Sequence, residues 1–61
     1  MMYNVMLDDQ KDDIMGAQDW VVENVQSGKY KINHPLFPSP LWNFLFEEEG
    51  DAIWFRLKWQ H

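Results

Sequence analysis

The sequence contains no cysteine. Disulfides and thiolate metal sites are therefore excluded as staples. Histidine is scarce too: His34 and His61 are the only two, and a zinc site would need carboxylates to complete it. Gly16, Gly28 and Gly50 are too scattered to form a phosphate-cradling loop. Ser27 and Ser39 lack the elbow and the partners that activate a hydroxyl. Basic residues are few. Five Lys and Arg oppose ten Asp and Glu, a formal net charge of −5. That balance speaks against direct binding to nucleic acid or to an anionic membrane, both of which attract basic surfaces. No apolar run approaches the ~20 residues of a membrane span. The start, Met1 to Asp9, lacks the basic segment of a signal peptide. A reducing, cytoplasmic setting is the expectation.

What the chain has is aromatic mass. Four Trp, four Phe and two Tyr make up 16% of it, and hydrophobic residues total 46%. Each aromatic ring buries a large area, so a dense core is expected rather than disorder. The 61 residues are room for one domain, residues 1–61. A domain this small buries only ~60% of the surface its unfolded chain exposes.

Periodicity divides the chain into elements. Tyr3, Val5 and Leu7 alternate with Asn4 and Met6, which predicts a strand over 3–7. Asp8 or Asp9 is placed to cap a following helix, with Asp12 and Asp13 near its positive end. That helix is expected from about Gln10 to Gln26. Ile14, Ala17, Val21 and Val25 form its inner stripe, and Trp20 lies at the border. Ser27-Gly28 closes it, with Gly28 free to turn left-handed. Residues 29–32 alternate as a short second strand. Residues 33–40 hold all three prolines and form a loop from which Leu36 and Phe37 are expected to turn back to the core. Residues 41–47 form the clearest strand, with Trp42, Phe44 and Phe46 on one face. The last segment, 52–59, reads two ways. As a strand, Ile53, Phe55, Leu57 and Trp59 share a face. As a helix capped by Asp51, it buries Ala52, Phe55 and Trp59, flanked by Ile53.

The stretch Phe44-Leu45-Phe46-Glu47-Glu48-Glu49-Gly50-Asp51-Ala52-Ile53-Trp54-Phe55-Arg56-Leu57-Lys58-Trp59 resembles the ending of short uncharacterised proteins of tailed phages, marine and cyanobacterial ones in particular. Trp20 and Glu23-Asn24 on an upstream helix fit the same pattern. The stretch is also similar to the strand-to-helix corner of ferredoxin-like domains such as the RNA-recognition motif. That resemblance implies helix for 52–59. The expected fold is then α+β, in β-α-β-β-α order: a three-stranded antiparallel sheet with both helices on one face, ferredoxin-like but without the last strand. The alternative is β-α-β-β-β, with residues 52–59 as a hairpin strand. The phage resemblance supplies no activity and no functional residue.

Each candidate chemistry has a plainer explanation. Asp8, Asp9, Asp12 and Asp13 could hold a hard cation, but they lack the spacing of an EF-hand loop and suit a helix cap. No catalytic residue, metal ligand or cofactor-binding residue is assigned, and an enzyme is not expected. Aromatic surplus is the more informative feature. Trp54 lies off the buried row in both readings of its segment, Leu45 falls on the open sheet face, and Trp20 sits at a helix border. Trp54, Leu45 and Trp20 are therefore the candidate protein-contact residues. The expected function is a small acidic interaction module, binding a second copy of itself or a host protein. The alternative is an acidic nucleic-acid mimic that occupies a basic host protein.

Overall fold

The computed structural model describes residues 1–25, 28–36 and 38–60. Gln26, Ser27, Phe37 and His61, which carry part of the expected helix end, loop and terminus, lie outside the described residues. The elements are β1 (Tyr3–Asp8), α1 (Ile14–Asn24), β2 (Tyr30–Asn33), β3 (Leu41–Phe46) and α2 (Glu49–Trp59). The three strands lie in the order β1-β3-β2, and β3 pairs antiparallel with both neighbours. β1 and β2 therefore run the same way on either side of β3. α1 makes the crossover between them. The fold is α+β in the expected β-α-β-β-α order.

Register follows from alternation. Val5 stands opposite Phe44 and Leu7 opposite Trp42, while Ile32 meets Phe44 from the other side. One sheet face thus collects Tyr3, Val5, Leu7, Trp42, Phe44, Phe46, Tyr30 and Ile32. Both helices cover this face. Ile14, Ala17, Val21 and Val25 of the α1 region and Ala52 and Phe55 of α2 join Val5, Leu7, Phe44 and Phe46 in one buried cluster. Phe55 is its hub, with ring centroids 4.8 Å from Phe44, 5.2 Å from Phe46 and 5.8 Å from Trp20. Such tilted aromatic contacts add to the hydrophobic gain of burial.

Residues 52–59 are helix, so the strand alternative does not hold. β3 already pairs on both sides, and its Phe44 and Phe46 offer α2 an aromatic seat rather than a strand edge.

The helix ends correct several expectations. α1 begins at Ile14, not Gln10. Residues 8–12 form a hydrogen-bonded turn instead: the Gln10 N–H donates to Asp8 Oδ1 at 2.8 Å, and the Asp12 N–H to the Asp8 carbonyl at 2.8 Å. The cap is neither Asp8 nor Asp9 but Asp13, whose Oδ1 accepts from the Gly16 N–H at 3.0 Å. A short carboxylate can compete for backbone N–H groups and so favours turn and cap over helix interior. α1 ends at Asn24 with Val25 as its C-cap, and Gly28 is left-handed, at φ 72°. In α2 the cap position belongs to Glu48, which makes no side-chain cap bond, and Asp51 lies inside the first turn. Leu36 does not turn back to the core. It is 86% exposed, and its carbonyl accepts from the Ser39 N–H at 2.8 Å.

Candidate interaction surface

α2 is apolar on two opposite sides. At ~100° per residue, Ala52, Phe55 and Trp59 share the side that faces the sheet, and Ile53, Trp54 and Leu57 share the side directly away from it. The first group is buried or packed against the core. The second is open: Ile53 and Trp54 are each 49% exposed and Leu57 is 73% exposed. A surface helix ordinarily carries polar residues on its outer side, so this outer stripe is the departure. The expected helical reading placed Ile53 beside the buried stripe. The structure moves it to the solvent side, because only Ala52 and Phe55 fit beneath α2 with Trp59 following.

Two of the candidate contact residues come together here. The Trp20 and Trp54 rings meet edge to face, with centroids 4.8 Å apart and planes at 74°. Trp20 also packs on Phe55, so it links the core to the outer indole. Trp54 is thus braced on one side and open on the other. A braced aromatic loses little freedom on binding.

Leu45 lies elsewhere. It points to the sheet face away from the helices, where it is half-buried among β1 and β2 neighbours Asn4 and Lys31. That face is mixed rather than apolar. Asn4 Nδ2 donates to Asn43 Oδ1 at 3.0 Å across it. Beside them runs a shallow groove of about 600 Å³ lined by Met6, Asn33, His34, Leu36, Leu41 and Asn43 among others. The His34 ring stacks obliquely on Trp42 at 4.5 Å, which gives this loop histidine a packing role.

Two features escaped the sequence reading: the exposure of Leu57 and the pairing of Ile53 with Trp54 on one outer stripe. The spacing 53, 54, 57 carries the signal, but only after the segment is known to be helical. Among the described residues, no group of three or more His, Cys, Asp or Glu is arranged to hold a metal ion. No helix among them is long and apolar enough to cross a membrane. Comparison with protein-family models, curated proteins and solved structures returned no match.

Proposed function

We propose that this chain is a protein–protein interaction module whose contact surface is the outer side of the helical layer, centred on Trp54 with Ile53, Leu57 and Trp20. The outer stripe of α2 carries the reading. Three large apolar side chains stay about half or more in water on a helix that has already satisfied its core. Aromatic side chains in such a setting are the usual anchors of protein contacts. Leu45 belongs to a separate and more polar face, and contributes less to this reading. The strand order and the α1 crossover favour a ferredoxin-like arrangement lacking its final strand. The resemblance of residues 44–59 to phage proteins favours a phage-encoded chain acting in a host cytoplasm.

The acidic-mimic alternative draws less support. Asp8, Asp9, Asp12 and Asp13 lie at the Leu41 end of the sheet, and Glu47, Glu48, Glu49 and Asp51 at the Phe46 end. A six-residue strand separates the two groups by ~20 Å. Arg56 and Lys58 interrupt the acidic surface along α2.

Binding of candidate proteins to the immobilised chain tests the module. Trp54→Ser and Leu57→Glu are expected to abolish it, and Lys31→Glu on the other sheet face to leave it intact, all with unchanged circular dichroism. Binding that ignores both α2 variants overturns the proposal.

A further inference from the structure

The outer stripe of α2 is self-complementary, and we infer that its partner is a second copy of this chain, packed α2 against α2 in antiparallel register about a two-fold axis between Ile53 and Trp54. This rests on the reading of that surface as a protein-contact site and adds the partner and the register.

The argument is geometric. At ~100° per residue, Gly50 and Leu57 lie on the midline of the stripe, Ile53 to one side of it and Trp54 to the other. A two-fold axis exchanging antiparallel helices brings together residues whose numbers have a constant sum. With the axis between Ile53 and Trp54, Leu57 of one copy falls on Gly50 of the other. Gly50 is the one place on the outer side of α2 with no side chain. A Cβ placed there would meet nothing within 4 Å. Glycine inside a helix costs ~1 kcal/mol relative to alanine, so a seat for a partner side chain gives it a reason. Ile53 meets Ile53 on one flank and Trp54 meets Trp54 on the other.

Charge fits the same register. Glu49 and Asp51 stand in the first turn of α2, Arg56 and Lys58 in the last. Glu49 and Arg56 share one flank of the stripe; Asp51 and Lys58 share the other. In the antiparallel pair, Glu49 faces Arg56 of the other copy, and Asp51 faces Lys58. The two pairings straddle the axis that the apolar residues choose, one centred about a residue before it and the other about a residue after it, offsets of ~1.5 Å along the helix that long side chains span. A parallel pair would set acid on acid. The helix dipoles also oppose favourably in the antiparallel arrangement.

The complex is a weak one. An 11-residue helix pair falls below the standard ~1,600 Å² interface, in the size range of weak and transient complexes. The net charge of −5 on each copy adds like-charge repulsion between the two.

Sedimentation equilibrium from micromolar to millimolar concentration provides the test. The wild type is expected to pass from monomer to dimer, and Leu57→Glu to weaken association by at least about tenfold. Two charge variants then report the register. E49K/D51K and R56E/K58E are each expected to stay monomeric, their mixture to form a one-to-one heterodimer, and the quadruple variant to regain self-association. Circular dichroism confirms that each variant is folded. A dimer indifferent to Leu57 and to the charge exchanges overturns this inference in favour of another face. A wild type that stays monomeric overturns it as well. In that case the module reading survives only if the chain binds another protein in a Leu57-dependent way.

Discussion

Gly16 and Gly50 are both helical glycines, and their surroundings give them opposite roles. At Gly16 the two helices approach closely: an added Cβ would lie 3.1 Å from Trp59 Cη2 and would run into the Asp13 carboxylate that caps α1. At Gly50 it would meet open space. An exposed helical glycine gains ~0.5–1 kcal/mol on change to alanine. Gly50→Ala is therefore expected to raise monomer stability by about that amount. Gly16→Ala is expected to lower it by ~1–2 kcal/mol, since the overpacked ring and the displaced cap outweigh the helix propensity. Urea unfolding at low protein concentration measures both. The same scale explains Trp54. Its position off the core row was legible from the spacing of residues 52–59, but Trp20 as its neighbour was not, because a contact between residues 34 positions apart depends on how the helices dock.

Helix ends show what local chemistry decides among rival acids. Four aspartates precede α1, and any of them suits an N-cap by residue type. The turn at residues 8–12 consumes Asp8 and Asp12, since Asp12 Oδ2 accepts the Asp8 N–H at 3.0 Å. Asp13 is left to cap. Asp13→Ala is expected to cost ~1 kcal/mol, while Asp9→Ala, at an exposed position with no side-chain bond among the described residues, is expected to stay within ~0.5 kcal/mol. Thermal melts of the two variants separate these outcomes. α2 lacks a side-chain cap, and the ion pair of Lys29 with Glu48 at 3.7 Å beside its start is exposed and contributes little. Its position is fixed by Phe55 beneath it and by Gln60, whose Nε2 donates to the Met6 carbonyl on the outer edge of β1 at 3.1 Å.

At the scale of the molecule, stability is layered around β3. That strand is hydrogen-bonded on both sides, while β1 and β2 each leave one edge outside the sheet. Amides of β3 between Trp42 and Phe46 are expected to exchange with solvent most slowly, near the global unfolding free energy, and those of β2 much faster. Native-state hydrogen exchange checks this, and uniform protection across the three strands would contradict it. The helical layer and the open sheet face then present two different surfaces to a partner: one apolar and braced by aromatic rings, the other mixed and cross-linked by Asn4 and Asn43.

Composition and alternation by themselves determined the strands, the glycine turn at Gly28, the buried aromatic faces and the acidic, cysteine-free character of the chain. These are local properties, set by side-chain period and backbone preference. The structure decided which aspartate caps α1 through hydrogen bonds among residues 8–16, where several acceptable candidates compete for one position. Which side of α2 faces solvent was decided by tertiary contacts alone, since it depends on how Phe55 docks against Phe44 and Phe46 of a distant strand. Trp54 belongs to both accounts: its surplus was visible in the spacing, but the ring that braces it, and the apolar neighbours that make a surface of it, exist only once α1 and α2 share the same sheet face.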